Sequence, residues 1–287
     1  MEINDLAGLK DPLTKLVESV SGAIGVLYEP RRIRKKAEAD ADAMLTLAKG
    51  EMEVEELKRR ADERVSYTEM RRQKNVERIV EQAAKELPEA VDEKPADEDW
   101  IAQFFNLSQD VGDEEMQTLW ARILAGEVAR PGKFSLRTLQ AVKLLSKEDA
   151  RLFSQYCSYV WQPAGRALCR YTNNETNEYL ASRGIRLSER QHLQNLGLIY
   201  SGGLMTGSGA NTAINSRDEP FEVTYFGRKY LLRQSLNPNE SALVFPEFLT
   251  DVGGQLFPIS GAVPDERYLQ LLIESLRKDK LEVSALD

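Results

Sequence analysis

The stretch EMQTLWARILAGEV, residues 115–128, decides how this chain is read. Met116, Leu119, Trp120, Ile123, Leu124 and Val128 recur at intervals of three and four, the spacing of one face of an α-helix. The stretch holds no obvious nucleophile, metal cluster or phosphate loop. Its apolar residues therefore predict a packed stripe, with Leu119, Trp120, Ile123 and Leu124 as structural core. ARPGKF, 129–134, follows at once and supplies a break at Arg130-Pro131-Gly132. Ser135 is placed to cap a further helix over 136–145.

Outward from this stretch the helical signals continue in both directions. Asp97, Glu98 and Asp99, and then Asp113, Glu114 and Glu115, open two helices over 97–107 and 113–128, where negative charge meets the positive end of the helix dipole. On the other side, SKED places Asp149 three residues after Ser146, a capping box for a helix that runs into FSQYCSYVW, 153–161. Residues 97–164 read as a helical bundle. Pro88 and Pro95 bracket an acidic linker, 89–96, and before it residues 31–88 form a long charged helical arm. The arm carries a narrow seam through Ala37, Ala41, Met44, Ala48, Met52, Leu57, Ala61 and Val65, which predicts helix pairing and a homo-oligomer.

Residues 1–30 contain an amphipathic helix whose apolar face holds Leu13, Leu16, Val17, Val20, Ala23, Ile24 and Leu27. The basic run Arg31, Arg32, Arg34, Lys35 and Lys36 follows directly. An apolar face beside a cationic flank suits an anionic membrane surface or a partner protein, and these residues are the candidate contact. Over 165–287 the pattern changes. LSERQHLQNLGLIY reads as a helix leading into a strand, SGGLMTGSGANTAINSRDEP as a loop, and FEVTYFGRKYLL as a strand or a strand and a helix. Helix, strand, loop and strand follow the winged-helix plan. The fold class is mainly α, with a smaller α+β, winged-helix-like C-terminal module.

The chemistry-bearing residues point away from catalysis. His192 is the lone histidine and has no nucleophile at triad spacing. The loop with Gly202, Gly203, Gly207 and Gly209 lacks the ending of a phosphate-binding loop. Glu56 and Lys58 match a nuclease-like pair but sit in a charged helix without a sheet. Arg59, Arg60, Arg71, Arg72, Lys74 and Arg78 are interspersed with acids and read as a solvated face. No catalytic, cofactor or metal residue is assigned. A formal charge of −8 over 287 residues confines any nucleic-acid role to one region. Two cysteines, Cys157 and Cys169, and no signal peptide predict a reducing cytoplasm, and no apolar run approaches the roughly 18 residues of a membrane span.

MQTLWARILAGEVARPGKFSLRTLQAVKLLSKEDARLF, with LQNLGLIY, VTYFGRKYLL, FLTDVGGQL and IGVLYEPRRIRKKAEADA, resembles the bacterial family catalogued as domain of unknown function 2806. LWARILAGEV also resembles the alpha-type abortive-infection proteins. Neither resemblance implies active residues or a cofactor. The second implies an association with phage resistance. With the helical arm, that clue leads to the expectation of a nonenzymatic interaction or assembly protein in defence against phage, acting on a phage or host protein or peripherally at the inner membrane surface. The alternatives are a nucleic-acid-binding regulator using the winged-helix-like module, and an unrecognised nuclease.

Overall fold

The computed structural model describes residues 15–16, 48–163, 169–170, 174–201, 213–214, 220–234, 243–244, 247–278 and 281–286. The protein is mainly helical, with a smaller C-terminal module of strands and helices. It divides into two compact units, Met1–Phe134 and Ser135–Asp287.

In the first unit, α1 (Ala48–Glu86) runs for 39 residues, about 58 Å at the usual rise. α2 (Glu98–Ser108) starts where the carboxylate of Asp97 accepts the Trp100 amide at 2.9 Å. α3 (Glu114–Ala129) starts where Asp113 accepts the amides of Glu115 and Met116. Both caps satisfy N–H groups that the first helical turn leaves without a partner. Trp100 stacks on Phe104, whose edge meets Trp120 at 5.3 Å between ring centroids. Trp120, Ile123 and Leu124 are fully buried as the periodicity requires. Leu119 is only half-buried, because it lies about 100° around the helix from Trp120, on the side away from Leu124, at the margin of the packed arc. Residues 89–96 are held within this unit, the Asp92 amide donating to the Ala129 carbonyl at 2.9 Å.

The turn after α3 explains the punctuation of the opening stretch. Glu127 is 1% exposed, and its carboxylate accepts the amides of Gly132 at 2.6 Å and Phe134 at 2.9 Å. Burial pushes this carboxyl up, against the downward pull of the amides of Gly132, Phe134 and Lys133. The Phe134 ring lies on Gly126, where an added Cβ would come within 2.8 Å of it. The Phe134 carbonyl takes the indole N–H of Trp100 at 2.7 Å. Gly126, Glu127, Gly132 and Phe134 thus lock a turn onto the core. The stretch is a packing unit.

The second unit opens with α4 (Leu136–Leu144), capped by Ser135, and α5 (Lys147–Cys157), with the Ser146–Asp149 capping box in place. β1 (Gln162–Pro163), β2 (Cys169–Arg170), α6 (Asn174–Ser182), α7 (Leu187–Asn195) and β3 (Ile199–Ser201) follow. Then come β4 (Ala213–Ile214), β5 (Phe221–Tyr225), β6 (Arg228–Gln234), β7 (Leu243–Val244), β8 (Glu247–Leu249), α8 (Asp251–Leu256), α9 (Glu266–Lys278) and β9 (Leu281–Leu286). One sheet has the order β2-β8-β3, antiparallel throughout, pairing Cys169 with Phe248 and Ile199 with Leu249. With α5, α6 and α7 it makes a winged-helix-like order: a helix, the sheet strand β2, two helices, then two strands that close the sheet, with β1 belonging to another sheet.

The excursion between β3 and β8 is long enough to hold further strands. β4 pairs with β7, while β5 and β6 join β1 and β9 in a second sheet of order β1-β5-β6-β9. FEVTYFGRKYLL is therefore two strands, not a strand and a helix. Phe226 and Gly227 both have positive φ, which gives the tight two-residue hairpin turn that the strand twist favours. The winged-helix elements are tied together by one buried carboxylate. Glu247 on β8 accepts the Tyr156 hydroxyl from α5 at 3.0 Å and lies 3.4 Å from Arg190 of α7. Arg190 in turn donates to Asn177 on α6 at 3.0 Å.

Candidate assembly surface

α1 has one continuous face with two different surroundings. At 3.6 residues per turn, Val54, Leu57, Ala61, Val65, Thr68, Arg72, Asn75, Ile79 and Ala83 fall within about 80° of arc. The C-terminal part of this face is buried, and α1 packs there on α3. Asn75 fixes the contact. Its amide donates to the Gln109 carbonyl at 2.9 Å, and its side-chain oxygen accepts from Gln117 on α3 at 3.2 Å. Arg71 and Arg72 both reach Asp110, at 2.9 and 3.0 Å, and mark where the packed part begins.

N-terminal to that point the same face is open. Val54 is 52% exposed, Leu57 61% and Val65 55%. The chain repeats itself here every 11 residues, as VEELKRRADER at 54–64, VSYTEMRRQKN at 65–75 and VERIVEQAAKE at 76–86. Each repeat begins with valine, followed by Leu57, Thr68 or Ile79 three residues on, and Ala61, Arg72 or Ala83 seven residues on. The third repeat packs inside the unit, and the first leaves Val54 and Leu57 exposed and Ala61 half-buried. The sequence reading found the seam at Leu57, Ala61 and Val65 but not its period, which lining up the three valines reveals.

The charged side chains of α1 largely answer one another along the helix. Arg59 is held by Glu56 and Glu63, each at 2.6 Å, and Arg72 by Glu69 at 3.0 Å. Glu56, half of the nuclease-like pair, is thus engaged by an arginine on an exposed helix face. Among the described residues no group of three or more His, Cys, Asp or Glu is placed to hold a metal.

Of the candidate contact residues, Leu16 is fully buried, and the neighbouring Lys15 ammonium donates to the Asp92 carbonyl. Leu13, Val17, Val20, Ile24, Leu27, Arg31, Arg32, Arg34, Lys35 and Lys36 lie outside the described residues, as does the Gly202–Gly209 loop. Among the described residues no helix is long and apolar enough to cross a membrane. In the second unit, α7 occupies the place of a winged-helix recognition helix. It exposes Leu187, Ser188, Gln191, His192 and Asn195, with no arginine or lysine among them. Its own Arg190 turns inward to Glu247. His192 lies 2.5 Å from Asp149 on α5. Burial alone would raise the Asp149 carboxyl, but hydrogen bonds from His192 and Ser146 bring it below its ordinary value.

No curated protein and no solved structure matches the chain. A family model described as "Protein of unknown function (DUF2806)" matches residues 59–273, well over half of the sequence, from within the first arm repeat to α9. With most of both units inside that match, this chain belongs to the DUF2806 family.

Proposed function

We propose that this protein is a nonenzymatic assembly protein. Its α1 arm joins copies into a homo-oligomer, and its winged-helix-like module presents the polar outer face of α7 to a phage or host protein. The observation that carries this reading is the open stretch of the α1 face. Val54, Leu57 and Val65 continue, without a break in phase, a face that is buried further along the same helix. Apolar side chains aligned on one helix face favour removal from water, and α1 is too long for α3 to cover its whole length. Light scattering is the test. The intact protein should be oligomeric, and Leu57→Glu with Val65→Glu should be monomeric with the fluorescence of the buried Trp100 and Trp120 unchanged, and with a melting temperature that no longer depends on protein concentration. A monomeric intact protein overturns the reading.

The cellular setting we propose is cytoplasmic defence against phage. It rests on the resemblance of LWARILAGEV to abortive-infection proteins, and assembly does not depend on it. An anionic membrane surface has less support as the partner, since Leu16 is taken up inside the fold. The second reading, a nucleic-acid-binding regulator, is favoured by the β2-β8-β3 order around α6 and α7. The outer face of α7 does not supply the Lys and Arg contacts to phosphate that dominate such affinity.

A further inference from the structure

The two flanks of the open stripe differ in charge. Seen down α1, Arg60, Arg64 and Arg71 line one side of the Val54–Thr68 face, and Asp62 and Glu69 line the other, with Lys58 beside them. Arg64 and Glu69 are both exposed, and Glu69, five residues further along the same helix, engages Arg72 through one carboxylate oxygen at 3.0 Å and has the other to offer. When two helices pair face to face and antiparallel, each flank meets the same flank of its partner. When they pair parallel, each flank meets the opposite one, with contacts about five residues apart in the two chains. Antiparallel pairing centred on Ala61 would bring Arg60 and Arg64 against the same arginines of the other chain. Parallel pairing brings the arginine flank against Asp62 and Glu69.

We propose that residues 54–68 of α1 pair with the same residues of a second copy, parallel and in register, with Val54 on Val54, Val65 on Val65, and Arg64 facing Glu69 of the other copy. This orientation presupposes the assembly proposed above and adds the occupant's direction and alignment. The 11-residue period sets the geometry as well. Three turns in 11 residues is about 3.67 residues per turn, slightly wider than a free α-helix, so the pair is straight or coils to the right, unlike a heptad coiled coil. The repeats also explain why a second copy fits. The third repeat already packs this face against a helix of its own chain, and residues 54–68 present valine, leucine, alanine and threonine side chains small enough to let an identical face approach, up to Arg72, which turns to Asp110.

Cysteine cross-linking of the full-length protein tests the alignment. Val54→Cys and Val65→Cys, each oxidised alone, should give disulfide-linked dimers in which mass spectrometry finds the introduced thiol joined to its own counterpart, position 54 to position 54 and position 65 to position 65. Mixed together before oxidation, the two variants should give few links between position 54 and position 65. An oligomer that yields chiefly those mixed links, or no links, overturns the parallel alignment and leaves assembly standing, whereas a monomer removes both. The charge pairing has its own readout. Arg64→Glu should weaken self-association roughly three- to tenfold, and Arg64→Glu with Glu69→Arg should restore most of that loss. No recovery in the exchanged variant rules out the Arg64–Glu69 contact.

Discussion

Glu127 shows how one buried side chain can fix a turn and carry a cost. Its carboxylate gathers the amides of Gly132 and Phe134. Glu127→Ala leaves the buried Phe134 amide without its acceptor, worth roughly 1–3 kcal/mol. The more discriminating variant is Glu127→Gln, which keeps the shape and removes the titration. Because burial raises the Glu127 carboxyl above its unfolded value, its contribution is fully present below the unfolded value and is lost as pH rises through the folded one. The stability deficit of Glu127→Gln should therefore be larger at about pH 3.5 than at about pH 7. Melting temperatures of both proteins at the two pH values decide it, and a deficit that grows towards neutrality would mean that the amides, not burial, dominate. The sequence announced Trp120 through its spacing. It could not announce Glu127, because a glutamate inside a helix signals solvent until the turn that folds back onto it is known.

At the scale of elements, the close approach of α8 to β3 is the most exacting contact. An added Cβ on Gly253 would sit 2.0 Å from the Leu198 carbonyl oxygen, which is backbone and cannot swing aside. The Thr250 amide and hydroxyl meet the same carbonyl, at 3.1 and 3.2 Å, so the whole corner is committed. Gly253→Ala should cost about 1–3 kcal/mol or more. Gly254→Ala faces open space and should be neutral or stabilising, since alanine favours a helix by up to about 1 kcal/mol. Equal urea midpoints for the two variants would refute the contact. The caps at Ser135 and Ser146 were legible because capping is local, a side chain satisfying an amide three residues away, whereas Asp97 and Asp113 read only as helix-opening charges and turn out to be caps themselves. The hairpin at Phe226-Gly227 was less so, since phenylalanine rarely takes positive φ and the turn is stabilised by its strands. The open stripe of α1 was half legible. The seam residues stood out, but which part of it is open depends on where α3 ends, a tertiary fact.

For the molecule as a whole, the two units pose different folding problems. Among the described residues the first is built chiefly of α1, α2 and α3, each formed from contacts within a few residues and then docked. The second cannot close its winged-helix sheet until β8 arrives, because Cys169 and Ile199 both wait for partners beyond the long excursion, at Phe248 and Leu249. Every residue of that excursion adds to the loop that must be closed before the pairing gives anything back. Helices assembled from near neighbours form faster than sheets closed over long separations. Refolding from denaturant should accordingly show two phases. Far-ultraviolet helical signal and burial of Trp100 and Trp120 should recover first, and the environment of Trp161, stacked on Tyr225 in the second sheet, should recover later. Single-tryptophan variants in stopped flow separate the two, and a common rate would refute the order. The long excursion between β3 and β8 thus also sets a clock: on the assembly proposed above, the arm would be helical and open for pairing while the second unit is still incomplete, so that pairing would precede completion of the fold.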